Sequence, residues 1–160
     1  MKIVSIGGGP AGLYLGILMK LSSHKHQVTV IERNRPDDTF GFGVVFSDAT
    51  LGHLAAADPV SHAAITQAFA RWDDIEVHVG GEVLRSTGHG FCGIERRKLL
   101  QLLQARAAEL GVEIHYERPV TRLDDELVRG ADVVVAADGI ASWIRTELAE
   151  HLRPGVDVRP

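Results

Sequence analysis

Lys2-Ile3-Val4-Ser5-Ile6-Gly7-Gly8-Gly9-Pro10-Ala11-Gly12-Leu13 is the stretch whose reading decides the fold. Lys2 to Ile6 is a short apolar run halted by glycine, which predicts a strand. Over residues 10–21, Leu13, Ile17, Leu18 and Leu21 recur at helical spacing. Residues 27–32, with Val28, Val30 and Ile31, predict a second strand rich in β-branched residues. The first 32 residues therefore read as one βαβ unit whose two strands are parallel neighbours. Gly7, Gly9 and Gly12 form Gly-x-Gly-x-x-Gly between the first strand and the helix, the setting that gives this otherwise weak pattern its meaning. Gly7 allows the tight turn, Gly9 lets backbone approach a pyrophosphate, and Gly12 allows close helix–strand packing. Phosphates there face the positive end of the helix, so no charged side chain is required. Glu32 lies twenty residues after Gly12, at the end of the second strand, where a carboxylate can accept hydrogen bonds from both hydroxyls of an adenosine ribose. The same carboxylate would repel a 2′-phosphate, so the resident dinucleotide is expected to be FAD or NAD rather than NADP.

Working outward, 160 residues with 45% hydrophobic and 24% charged side chains suit one globular domain and suggest neither a disordered tail nor a membrane protein. Seventeen Lys and Arg against twenty-one Asp and Glu leave a net charge of −4 with no basic stripe, which argues against a nucleic-acid partner. Cys92 is the one cysteine, so no internal disulfide forms, in keeping with a reducing cytoplasm. The apolar opening is not read as a targeting or anchoring segment, because Gly7-Gly8-Gly9-Pro10 interrupts it and no small-x-small cleavage pattern follows Leu21. The histidines are scattered without metal-ligand spacing, and no serine sits in a nucleophile elbow, which argues against a zinc site and a hydrolase.

Residues 33–48 carry Pro36, Gly41 and Gly43 without a sustained period and read as a long loop. Residues 49–57 and 59–72 read as helices, and Ile75–Val79 and Glu82–Ser86 as a hairpin around Gly80-Gly81. Residues 95–110 predict a helix capped by Gly111, and residues 112–116 a strand. Residues 131–137, with three consecutive valines, read as the best buried strand of the chain, ending at Asp138-Gly139. The expected fold is α/β: a Rossmann-like FAD/NAD(P)-binding domain with a parallel sheet from strands at Lys2, Gln27, Val112 and Ala131, and a small antiparallel accessory sheet.

The adenosine diphosphate features alone leave FAD and NAD open. Ile6-Gly7-Gly8-Gly9-Pro10-Ala11-Gly12 with Glu32-Arg33 resembles the FAD-binding half of the group A flavoprotein monooxygenases, the aromatic hydroxylases of the glutathione-reductase type. Ala137-Asp138-Gly139-Ile140-Ala141-Ser142-Trp143-Ile144-Arg145 resembles that family's second fingerprint, which implies contacts from Asp138 and Gly139 to the pyrophosphate and ribityl region and a part in nicotinamide use. By itself, Asp138-Gly139 would simply be a turn. Gly93-Ile94-Glu95-Arg96-Arg97-Lys98-Leu99-Leu100-Gln101-Leu102-Leu103 resembles the family's arginine-led helix, with Arg96 as the matching arginine and Arg97 and Lys98 as surface charges. A cation in a first helical turn opposes the dipole, and an anionic partner would account for it.

Phe40-Gly41-Phe42-Gly43-Val44-Val45-Phe46-Ser47-Asp48, taken with the Gly-Ile-Glu-Arg-Arg run, is most similar to the branch holding the salicylyl-CoA 5-hydroxylase and 2-aminobenzoyl-CoA monooxygenase flavin domains. Gly43 and Val44 would lie against a flat ring there; a hydrophobic loop packed on the core is the competing reading. The cofactor-binding set implied by the resemblance is Gly7, Gly9, Pro10, Ala11, Gly12, Glu32, Arg33, Gly43, Val44, Arg96, Asp138 and Gly139. It names no catalytic residue in this segment and no metal. The implied reaction reduces FAD with NADH or NADPH, traps O2 as the flavin C4a-hydroperoxide, and hydroxylates an aromatic, possibly aryl-CoA, substrate. Residues 1–160 would form an FAD-binding domain lacking the family's later Gly-Asp fingerprint and substrate-covering part. The alternatives are a flavin-dependent dehydrogenase or reductase without hydroxylation, and a non-catalytic nucleotide-binding fragment.

Overall fold

The computed structural model describes residues 1–39, 41–155 and 157; Phe40 of the aromatic–glycine segment, and Val156, Val158, Arg159 and Pro160 of the tail, lie outside the described residues. The chain forms two compact units, Met1–Asp38 with Leu103–Pro160, and Thr39–Leu102.

In the first unit, β1 (Lys2–Ile6) leads through the glycine turn into α1 (Pro10–Ser22) and returns as β2 (Gln27–Ile31). The second half of α4 (Arg96–Glu109), then β8 (Glu113–His115), β9 (Val133–Ala136), α5 (Trp143–Glu147) and α6 (Ala149–Leu152) complete it. The sheet runs β8-β2-β1-β9 and every pairing is parallel, with Ile3 opposite both Val28 and Val133. This is the four-stranded parallel sheet expected from the sequence, and its two-residue period assigns the faces. Ile3, Ser5, Val28 and Val30 share the face under α1, where Leu13 and Ile17 are wholly buried and a Cβ on Gly16 would meet the Val30 and Val112 side chains. Val4, Ile6 and Ile31 pack on the opposite face with Val120, Val128 and Ile144. Each such side chain contributes roughly 1.5–3 kcal/mol by leaving water.

One expectation fails in this unit. The valine run of β9 is not the most buried strand: Val133 and Val134 are 42% and 39% exposed. β9 lies at the sheet's margin, paired only to β1 among the described residues. An apolar run specifies a strand, but burial requires neighbours on both sides.

The second unit holds β3 (Gly43–Val45), α2 (Asp48–Ala57), α3 (Pro59–Gln67), β4 (Ala70–Trp72), β5 (Ile75–Val79), β6 (Glu82–Ser86), β7 (Phe91–Glu95) and the first turns of α4. The β5–β6 hairpin forms as expected around Gly80 and Gly81, both at positive φ. Two boundaries differ from the sequence reading. The loop over 33–48 contains β3, and the helix expected over 59–72 stops at Gln67, after which Ala70–Trp72 is a strand. Both short strands flank β7 in an antiparallel sheet of order β3-β7-β4, so their conformation is set by a partner distant in sequence. Cys92 and Ile94 of β7 are buried, as are Leu54 and Ile65 of the two helices, and Cys92 behaves as the small core residue its composition suggests.

Candidate dinucleotide site

The site in the first unit begins with the turn between β1 and α1. Gly7 has φ +116°, and a Cβ there would run into the Ala137 carbonyl, so this position admits only glycine. The obstructing carbonyl belongs to the segment leaving β9, whose Ala137 N–H donates to the Ile6 carbonyl at 2.8 Å. The Gly7 turn and the Asp138-Gly139 turn are thereby brought together at the carboxyl ends of adjacent parallel strands, where open α/β sheets bind ligands. Gly12 is equally constrained, because a Cβ would strike the Gly7 carbonyl and lie 2.8 Å from Ser5 Oγ. That is the close helix–strand approach expected of the third glycine.

Gly9 differs. Its backbone is ordinary extended chain, φ −72° and ψ 178°, and a Cβ would meet nothing within 4 Å. The protein's own packing gives no reason for glycine here, and the backbone is open to close approach by a ligand. Gly9 is also the N-cap of α1, yet no side chain caps this end and its first turn contains no acidic residue. Pro10, first in the helix, has no N–H, and Ala11 beside it is exposed. The partial positive charge of a thirteen-residue helix is thus left facing open space.

Glu32 continues from the end of β2 and is half-buried. Its Oε2 accepts from the Gly8 N–H at 2.7 Å, while Oε1 accepts from both the backbone N–H and the side-chain amide of Asn34, each at 2.8 Å. Arg33, between them, is exposed. Tyr116, just beyond β8, has its phenol pushed above its ordinary range, first by burial and then by the negative charge of Glu32. On the other side, Gly139 takes φ +85°, and Asp138 Oδ2 lies 3.5 Å from the Ile144 N–H. Ser142 caps α5 by accepting from the Arg145 N–H at 3.0 Å, and the Arg145 guanidinium donates to the Ile140 carbonyl at 2.6 Å.

The remaining site candidates lie together in the second unit. Gly43 pairs with Glu95 and Val44 with Ile94, and the Arg96 N–H donates to the Phe42 carbonyl at 3.1 Å. A Cβ on Gly43 would approach the Ile94 carbonyl to 2.9 Å, so sheet packing by itself demands glycine there. Val44 is half-buried, whereas Phe42 is 98% exposed and does not belong to the core. Arg96 is half-buried at the start of α4, and Arg97 and Lys98 are exposed, as expected of surface charges. Sequence reasoning missed Asn34 and Tyr116; only the fold brings the charge of Glu32 to bear on Tyr116, and asparagine three residues past a strand carries no signal of its own. Among the described residues there is no cluster of side chains suited to a metal ion, and no helix is long and apolar enough to cross a membrane.

The fold and this arrangement define a Rossmann-like α/β unit with a glycine turn at the carboxyl end of its parallel sheet. No family model matches the chain. Salicyloyl-CoA 5-hydroxylase of Streptomyces sp. is 47% identical over 161 residues, covering 99% of this chain and 30% of that enzyme. The 3-hydroxy-4-methyl-anthranilyl-[aryl-carrier protein] 5-monooxygenase of Streptosporangium sibiricum is 32% identical, covering 93% of this chain and 41% of that enzyme. Among solved structures, CtdE in complex with FAD superposes with a TM-score of 0.74 at 21% identity, covering 92% of this chain and 40% of that one. By sequence the chain is similar to aromatic monooxygenases, and it spans less than half the length of these relatives.

Proposed function

We propose that the chain is the FAD-binding portion of a cytoplasmic flavin-dependent monooxygenase that hydroxylates an aromatic substrate, carried as a CoA or related thioester, using NADH or NADPH and O2. One observation carries the reading: the uncapped positive end of α1 opens on free space above Gly9, with a carboxylate at the end of the neighbouring strand. An adenosine diphosphate fits both, its pyrophosphate against Gly9, Ala11 and Gly12 and its ribose hydroxyls toward Glu32. When bound, the flavin would supply the redox chemistry and O2 activation. The protein's part is to bind and orient. Pro10 starts the helix with its torsion preset and no N–H of its own to satisfy, Glu32 selects ribose hydroxyls over a 2′-phosphate, and Asp138 offers a carboxylate to a polyol beside the same turn. In this reading residues 1–160 are an FAD-binding domain, and the substrate cover and a further ribityl contact come from the remainder of a protein of the relatives' length. The aryl-thioester class is supported by the names of the two relatives, which print salicyloyl-CoA and an anthranilyl-[aryl-carrier protein].

The test is a titration of the purified chain with FAD, read by flavin fluorescence and the visible spectrum, with NADH in parallel. Saturable binding of FAD in preference to NADH is expected. A folded chain that binds neither would remove the assignment.

A further inference from the structure

We propose that Asn34 is a positioning residue that locks the Glu32 carboxylate into the orientation that reads a ribose hydroxyl; this rests on the FAD-binding reading above. A carboxylate has about four acceptor sites and no donor. In this chain Asn34 fills two of them on one oxygen, because its backbone N–H and its side-chain amide both reach Oε1 at 2.8 Å. The amide must present nitrogen rather than oxygen there, since an ionised carboxylate only accepts. Oε1 is therefore held, the plane of the group is fixed, and Oε2 is left against the glycine turn, where the Gly8 N–H meets it at 2.7 Å. Oε2 then has one acceptor site left, for one hydroxyl of a ribose.

Asn34 is itself anchored. Its carbonyl accepts from the Glu117 N–H at 3.1 Å, and the Glu32 carbonyl accepts from the Arg118 N–H at 3.0 Å. Glu117 adopts φ +53°, a left-handed conformation that non-glycine residues rarely take. The segment leaving β8 thus accepts backbone strain while stapling residues 32–34 in place. Without the Asn34 amide, Glu32 keeps the other two bonds but gains freedom to rotate about its side-chain torsions. Rotation would cost affinity only for ligands that use the carboxylate.

That dependence provides a readout that a merely structural role would not move. The full chain and Asn34→Ala are titrated by calorimetry with ADP and with 2′,3′-dideoxy-ADP, folding being checked by circular dichroism. The parent chain is expected to prefer ADP by about ten-fold, the scale of hydrogen bonds to a charged group. In Asn34→Ala the preference should shrink to within about two-fold, with dideoxy-ADP affinity unchanged. Asn34→Leu, which keeps the side-chain volume without the amide, should behave the same way and serves if the alanine variant does not fold. A preference retained in either folded variant, or an equal loss for both ligands, overturns the role of Asn34 while leaving the FAD-binding reading intact. A parent chain that binds neither FAD nor ADP overturns both.

Discussion

Gly7 and Gly9 are two residues apart and glycine for opposite reasons. Gly7 sits at positive φ against the Ala137 carbonyl, so Gly7→Ala should destabilise the chain by about 2–4 kcal/mol, strain and clash adding together. Gly9 has ordinary torsions and empty surroundings, so Gly9→Val should change stability by no more than about 0.5 kcal/mol. The same valine occupies the space where a pyrophosphate must approach, and FAD binding should be abolished. Chemical denaturation and FAD titration of both variants separate a residue needed by the fold from one needed by the ligand. Glu32→Ala should weaken FAD binding by about 1.5–3 kcal/mol through loss of charged hydrogen bonds. Tyr116 offers an independent probe of the same carboxylate. Burial and then the Glu32 charge hold its phenol neutral beyond its usual range, so the folded state disfavours the phenolate. Its contribution to stability is complete below the unfolded value near 10 and is lost as pH rises through the higher folded value. An ultraviolet titration should show a late tyrosine ionisation that is removed by Tyr116→Phe and brought earlier by Glu32→Gln.

At the scale of elements, α1 positions the site because its underside is buried on the sheet. Ile17 is wholly buried, and Ile17→Ala should cost about 2–5 kcal/mol in urea unfolding, with FAD affinity falling only as far as the folded fraction falls. The β1–α1–β2 unit was legible in the sequence because three signals agree there: β-branched runs, helical spacing of Leu13 and Ile17, and glycines where the chain must turn. β8 and β9 were legible for the same reason. β3 and β4 were not, since each is a short strand set by pairing to β7, a partner distant in sequence. Ala70-Arg71-Trp72 continues an apolar pattern that suits a helix until Phe91-Cys92-Gly93 arrives to pair with it. The exposure of Val133 and Val134 was illegible in principle, because composition records that a residue is apolar and not whether anything covers it. The site divides in the same way. The glycine turn and Glu32 follow from local spacing, whereas the charge of Glu32 bears on Tyr116 only through the placement of β8 beside β2.

For the whole molecule, binding and chemistry make different demands. The groups that could hold an adenosine diphosphate lie in the first unit, formed by residues 1–38 with the chain from Leu103 onward, so nucleotide binding should survive in the 160-residue chain. Hydroxylation asks for more: an aromatic ring held at the flavin and water kept away from it. Among the described residues many large apolar side chains stand exposed, including Val77, Val79 and Leu84 on the hairpin and Ile140 beside Gly139. The 160-residue chain loaded with FAD should therefore oxidise NADH or NADPH slowly and form no hydroxylated product. A protein of the relatives' length carrying this segment should place one atom of labelled O2 in an aromatic thioester, measured by mass spectrometry of the product. Unlabelled product with full consumption of the nicotinamide would instead assign a flavin-dependent reductase to the same fold. Glu32→Ala in that longer protein discriminates further, since excess FAD should restore its labelled product if Glu32 acts only in holding the cofactor.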